Sequence, residues 1–279
     1  MGTFQQFFDL FLAELEQNSQ IRHYHRLLNN KKSYAFRRAY YQQRLEYVVK
    51  SVTKPGSKIL DVGCGYGTTS LMLAFMGHKV TGTTLEYYFS EIENRLDYWA
   101  PYLDKSLVEF KYENILRSNY APGTFDYIVA QDTLHHIEPI DQAMKVFYTI
   151  LQPEGKLIVS EENGNNLINN LKRFKERGYN RIVEVYDETL GENILFGNEN
   201  TRSLKAWKGI FANRNFKIDP QQIEYIRVYP PFLFNKKPME VIIEKEKVLA
   251  QKSRILREYF FFGINFTASK TQKAEKCAG

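Results

Sequence analysis

Hydrophobic residues recur with helical spacing from the start of the chain: Phe4, Phe7, Phe8, Phe11, Leu12 and Leu15 share one face over residues 4–15. Such a face either packs over the rest of the protein as a cap or touches a membrane. A second helix is expected over residues 31–52, with Tyr34, Tyr40 and Tyr41 among arginines, and Pro55-Gly56 closes it. From there the pattern changes to short apolar runs alternating with helical segments. Strands are expected at 59–62, 78–84, 107–112, 125–131 and 156–160. Helices fall between them at 71–76, in the segment ending at Trp99, and at 141–151, with Asp141 as N-cap and a turn at Pro153 to Gly155. Strands and helices in this alternation predict right-handed βαβ units and a mostly parallel sheet covered on both faces. Beyond residue 163 the periodicity weakens. Helices are expected at 167–177, 203–213 and 240–258, extended chain at 216–228, and a last strand at 259–269, followed by a disordered tail after Lys270.

Length and composition narrow the class. A chain of 279 residues, 43% hydrophobic and without an eighteen-residue apolar run, reads as a water-soluble protein built around one large α/β domain. The expected organisation is an N-terminal helical cap at 1–54 and a main domain at 55–279 that carries a substrate-covering insertion at about 163–258. No secretory signal precedes it, and with only Cys64 and Cys277 the chain offers neither a disulfide framework nor a metal cluster, so a cytoplasmic location is expected. The net charge of +6 is spread along the chain, which argues against a nucleic-acid partner. The His23-Tyr24-His25 cluster lacks a third ligand and reads as helix packing.

The chemistry is concentrated in ILDVGCGYGTTS, residues 59–70. An apolar strand leads into Asp61 and then into Gly63, Gly65 and Gly67, which permit positive φ and close approach of backbone to a ligand. A dinucleotide loop requires G-x-G-x-x-G; here the third glycine arrives one residue early. The string resembles motif I of the class I S-adenosylmethionine (SAM)-dependent methyltransferases. That resemblance, followed from Lys58 to Glu162, implies a Rossmann-like fold with a seven-stranded mostly parallel sheet, helices on both faces and an antiparallel last hairpin. It also implies SAM as cofactor.

By the same resemblance, Asp61 lies near the methionyl ammonium, and Gly63, Cys64, Gly65 and Gly67 wrap the methionine and ribose portions. The family's ribose-binding acid after the second strand is replaced here by Thr84 in VTGTTLE, with Glu86 two residues later; either can hold the ribose. The threonine is similar to that of the cyclopropane fatty acid synthase branch, whose members act on lipids. In VEFKYENI, Asn114 and Ile115 occupy the adenine-contacting positions, and Gln131 after the fourth strand approaches the methionine end. The segment QDTLHHIEP resembles the border of the methyl-transfer centre, which makes His135 and His136 candidate bases, with Glu161 as a competitor.

The expected activity is methyl transfer to a small-molecule or lipid-like acceptor by in-line displacement, with no metal and with a possible peripheral membrane contact. The alternatives are an NAD-dependent oxidoreductase and a SAM-binding regulatory protein without turnover.

Overall fold

The computed structural model describes residues 2–85 and 89–271. Strands β1 (Lys58–Val62), β2 (Lys79–Thr84), β3 (Val108–Tyr112), β4 (Phe125–Gln131) and β5 (Leu151–Glu162) form a parallel array in the order β3-β2-β1-β4-β5. A separate antiparallel hairpin follows, β6 (Ile182–Asp187) with β7 (Glu192–Gly197). Strand β10 (Gly263–Lys270) then extends the main sheet antiparallel to β5, and on its far side pairs with two short strands, β8 (Phe216–Ile218) and β9 (Glu224–Ile226). The sheet thus has eight strands in seven positions. Its last position is split because Asp219 caps a turn at Pro220–Gln222, where a proline cannot donate to the ladder.

Eleven helices are described. Three precede the sheet: α1 (Phe4–Gln17), α2 (Ser19–His25) and α3 (Lys31–Ser51). Four alternate with the strands or follow them: α4 (Thr68–Phe75), α5 (Phe89–Trp99), α6 (Ile140–Ile150) and α7 (Leu167–Arg177). Four more stand around the last strands: α8 (Leu204–Ala212), α9 (Pro231–Phe234), α10 (Met239–Lys252) and α11 (Arg254–Tyr259). One face of the sheet buries a core with α6 and α8, including Phe147, Trp207, Phe211 and Phe266. The other face packs α4 and the N-terminal helices, so Phe7, Phe8, Phe11 and Leu15 of α1 meet Ile59, Leu71 and Trp99. The apolar face of α1 is therefore committed to the core as a cap and is not available to a membrane.

Several boundaries differ from expectation. Pro139, in extended conformation, is the N-cap of α6, so the helix begins one residue early and Asp141 lies in its first turn, paired with Arg214. The expected turn at Pro153 to Gly155 is absorbed into a long β5 whose register with β4 shifts between Phe125 and Tyr127. The expected helix over 240–258 is broken at Ser253, whose side chain caps α11. The β6–β7 hairpin adds two strands between α7 and α8 where none is expected, and the tail beyond residue 271 lies outside the described residues.

The cap is locked by charge as well as by packing. Glu14 and Arg95 form a two-pronged pair at 2.8 and 2.6 Å, both fully inside the protein, and Trp99 Nε1 donates to the same carboxylate at 3.0 Å. Removing one partner leaves the other charge buried and unpaired. Glu14→Gln is therefore expected to destabilise the fold by about 3–5 kcal/mol, and Glu14→Leu combined with Arg95→Met by much less than the two single changes added. Urea unfolding of the three variants measures both quantities.

Candidate active site

Strand order reverses at β1, with β2 on one side and β4 on the other, and a crevice opens at their carboxyl ends. There the structure holds a cavity of about 420 Å³. Asp61, Gly63, Cys64, Thr84, Asn114, Ile115, Gln131 and His136 lie on its wall, so most of the residues expected from sequence converge on one space. Gly65, Gly67, His135 and Glu161 stand behind that wall, and Glu86 lies outside the described residues.

The glycine loop has the backbone its sequence requires. Gly63, Gly65 and Gly67 all have positive φ, at 66°, 52° and 75°. At Gly63 the demand is also steric, since an added Cβ would come within 2.3 Å of the Thr133 side chain. Beneath the loop, Asp61 is buried and accepts a hydrogen bond from Ser70 Oγ at 2.6 Å. Burial outweighs that bond and lifts the Asp61 carboxyl to about 7. Thr69 donates to Gln131 Oε1 at 2.6 Å, tying the start of α4 to the end of β4.

Elsewhere on the cavity wall, the β6–β7 hairpin closes over the loop after β3. Asn114 Nδ2 donates to Glu192 at 3.1 Å while its Oδ1 caps Leu116 N, and Ile194, Leu195 and Phe196 supply apolar wall.

The two histidines have different surroundings. His135 is buried, with Nδ1 at 2.5 Å from Glu161. Burial lowers its pKa, but the Glu161 carboxylate overrides this and holds the imidazolium up to about 9. Glu161 itself, although buried, is kept below the usual carboxylate range by that charge and by the backbone amides it binds, Thr133 N at 3.0 Å and Leu134 N at 2.6 Å. One carboxylate thus braces the whole loop after β4. His136, in contrast, faces the cavity. Its Nδ1 donates to Gly197 O at 2.8 Å, its ring stacks on Phe196, and burial followed by the neighbouring His135 charge lowers its pKa. That leaves a neutral ring with Nε2 as its basic nitrogen. His135, His136 and Glu199 bring ligand-type atoms within 4.8 Å of one another, but Glu199 is engaged by Arg173 at 2.8 Å.

Sequence reasoning missed the contribution of the helical cap. Tyr24, His25, Phe36, Arg37, Tyr40, Tyr41 and Arg44 all reach the cavity. The available signal was the run of tyrosines and arginines in α3. Arg44 pairs with Asp132, whose backbone is left-handed at φ 49°. Arg37 and Arg227 have no carboxylate within salt-bridge distance among the described residues, and burial together with repulsion from Arg26 and Arg227 lowers the Arg37 pKa. Arg227 lies over the rings of Phe36, Tyr40 and Phe262 at 5.1, 5.0 and 4.7 Å, with its Nε buried and without a partner. Buried unsatisfied donors in a native wall require an explanation, and a ligand is one.

Comparison with known proteins agrees with the geometry. A methyltransferase domain family model matches residues 60–159. Phosphoethanolamine N-methyltransferase 1 of Zea mays is 32% identical over 150 residues, covering 52% of this chain and 29% of that protein. A ubiquinone biosynthesis O-methyltransferase of Xanthomonas campestris is 29% identical over 131 residues, covering 43% and 49%. The chain thus spans less than a third of the first plant relatives it matches and about half of the bacterial one. Among solved structures, Haemonchus contortus phosphoethanolamine N-methyltransferase 2 in complex with SAM has a TM-score of 0.56 at 20% identity, covering 83% of this chain and 53% of that one. Geranyl diphosphate C-methyltransferase of Streptomyces coelicolor has a TM-score of 0.56 at 16% identity, covering 83% and 79%. These structural likenesses establish a shared fold.

The Glu161 brace yields a testable pH dependence. His135 titrates higher in the folded protein than its ordinary 6.5, so the pair's stabilisation is whole below that value and is lost as pH rises through about 9. Glu161 titrates below its ordinary 4.5, so on the acid side the stabilisation is whole above that value and fades below it. Glu161→Gln is expected to cost about 3–5 kcal/mol near pH 6 and to flatten the alkaline arm. Thermal unfolding across pH compares the two proteins; an unchanged alkaline arm would refute the brace.

Proposed function

The chain carries a methyltransferase domain of the class I SAM-dependent family, and from that premise we propose that it transfers a methyl group from SAM to a small-molecule or lipid-like acceptor bearing an anionic group. The observation that carries this reading is a single cavity with two chemically different parts to its wall. Part of its wall is the glycine loop and buried Asp61 expected of a SAM site; another part is Arg37 and Arg227, neither of which has a carboxylate within salt-bridge distance among the described residues, with Arg227 Nε buried and without a partner. A volume of about 420 Å³ lies within the range of small-molecule pockets, roughly 300–1,000 Å³.

SAM, when bound, supplies a methyl group already activated by its sulfonium. The protein's work is then to orient and to exclude water. Asp61 and the loop amides bind the methionine portion, Thr84 the ribose, and Asn114 with Ile115 the adenine. His136, neutral at pH 7 and fixed by Gly197 and Phe196, is positioned to take a proton from an acceptor through Nε2. His135 and Glu161 act one step back, as positioning residues that hold the loop carrying His136. Arg37 and Arg227 hold the acceptor's anionic group. The phosphoethanolamine in the name of the plant relative is a phosphorylated compound, consistent with such a group. Helix α1 makes no peripheral membrane contact through its apolar face, which is internal.

Incubation with methyl-labelled SAM and a cell extract fractionated into lipids and polar metabolites is expected to label an anionic product. Arg37→Leu should raise the KM for that acceptor about tenfold or more, a loss of about 1.4 kcal/mol, with SAM affinity nearly unchanged. A large loss of SAM affinity instead would assign Arg37 to the cofactor's carboxylate. Tight SAM binding with no labelled product would leave a regulatory protein.

Because Asp61 titrates at about 7, a cationic ammonium beside it favours the ionised form, and SAM affinity should rise with pH through that value and then level off. Calorimetric titration across pH tests the sign. Asp61→Asn should abolish the dependence.

A further inference from the structure

Helix α7 is amphipathic in the reverse of the usual sense. At about 100° per residue, Asn166, Asn169, Arg173 and Arg177 form the stripe turned toward the protein, and all four are polar. Asn169 donates to Glu162 at 2.8 Å, and Arg173 reaches Glu162 at 3.2 Å and Glu199 at 2.8 Å, so the inner face is held by charge-assisted bonds. The opposite face carries Leu167, Ile168, Leu171 and Phe174, exposed by 53%, 58%, 60% and 49%. Tyr179, 90% exposed, continues the patch with its ring 5.0 Å from Phe174. A helix of an ordinary globular protein buries its apolar stripe. This one presents it to solvent, and a contiguous exposed patch of this kind marks an interaction surface.

We propose that α7 is a membrane-docking helix that lays Leu167, Ile168, Leu171 and Phe174 on an anionic lipid surface. Charge selects this partner. Residues 167–182 contain Lys172, Arg173, Lys175, Arg177 and Arg181 against the single acid Glu176, which is itself paired with Lys172 and Arg173. Helical geometry puts Lys175 between Leu171 and Ile168, within the apolar face toward its Ile168 side. A lysine is disfavoured at the core of a protein interface, whereas at a bilayer surface its stem lies along the apolar layer and its ammonium reaches the phosphates. No helix among the described residues is long and apolar enough to cross a membrane, so the helix lies on the surface. Through Arg173 and Glu199 it is joined to His135, whose Nε2 is 3.7 Å from Glu199. Docking would therefore bring the bilayer to the side of the protein that carries the loop after β4.

The test does not depend on methyl transfer. Phe174→Trp places a fluorophore on the exposed face, in contrast to the fully buried Trp99 and Trp207. The full-length variant is expected to shift its emission to the blue with phosphatidylcholine–phosphatidylserine vesicles and far less with phosphatidylcholine alone. In vesicle co-sedimentation, Leu171→Ser with Phe174→Ser, or Lys172→Gln with Lys175→Gln, should each weaken binding by more than about tenfold, and added salt should weaken the wild type. Circular dichroism confirms that these surface variants remain folded. Absence of vesicle binding would overturn the proposal, as would binding unaffected by either pair. Self-association in sedimentation velocity that disappears with Leu171→Ser and Phe174→Ser, without any vesicle binding, would overturn it in favour of a second copy as partner.

Discussion

A parallel sheet whose chain runs outward from β1 to β3 and then returns to β4 on the other side must leave a crevice beside β1, because the connections on its two sides diverge there. The rest of the site is built on that constraint. The glycine loop can turn sharply out of β1 only in left-handed conformations, and Thr133, at the start of the neighbouring loop, then packs against Gly63 where any side chain would stand. The loop after β4 is likewise not self-supporting: it is held by the two amides and the imidazolium that converge on Glu161. Two adjacent loops, one shaped by missing side chains and one by a single buried carboxylate, thus set the geometry of the cavity between them.

The cap is part of the same construction. Arg95, besides pairing with Glu14, donates to Tyr66 O at 2.5 Å and to Thr68 Oγ at 2.8 Å. A charge on α1 is therefore coupled through one guanidinium to the backbone of the glycine loop. His25 adds a second link, bonding Thr68 at 3.1 Å and kept neutral by burial and the nearby Arg95 and Arg44. Damage to the Glu14 pair would then propagate to cofactor binding without any contact to the cofactor, because the loop's conformation and the cap's position share the same hydrogen bonds.

How much of this was legible followed from where the information resided. Strands β1 and β4 and helices α3 and α7 matched because their signals are local: apolar runs interrupted only by Asp61 and Asp126, an Asn before each helix, and Gly178 or Pro55 beyond it. The β6–β7 hairpin is written in the β-branched and aromatic run over residues 182–186 and in Gly191 of its turn, but β6 is largely exposed on both faces, so no alternation of buried and exposed positions marks it as a strand. Ser253 was invisible as a break because a serine that caps one helix looks, in sequence, like a polar residue inside a longer one. In the site, the cofactor loop was readable because its chemistry is written in consecutive residues. The separation of His135 from His136 was not. Adjacent histidines in sequence face opposite environments, and only the partners brought by β5 and β7 distinguish a buried imidazolium from a neutral base. Arg227 was unreadable for the same reason, since it meets Phe36 and Tyr40 from almost two hundred residues away.

The electrostatics of the cavity gain their meaning from that assembly. Asp61 is partly protonated near neutrality because burial disfavours its charge; Arg37 and Arg227 line the same cavity with no carboxylate in salt-bridge contact among the described residues, Arg227 having only the longer-range charge of the buried Glu246. On the same wall Arg44 and Asp132 neutralise each other. A cavity that satisfied its own charges would gain little from a ligand's. This one keeps Asp61, whose charge burial disfavours, where a cation would stabilise it, and Arg37, whose charge burial and the neighbouring Arg26 and Arg227 disfavour, where an anion would. Relief of those two penalties favours binding of groups of opposite local charge beside Asp61 and beside Arg37. On the proposed function, such an arrangement suits a sulfonium amino acid donor and an anionic acceptor bound together better than it suits either ligand by itself.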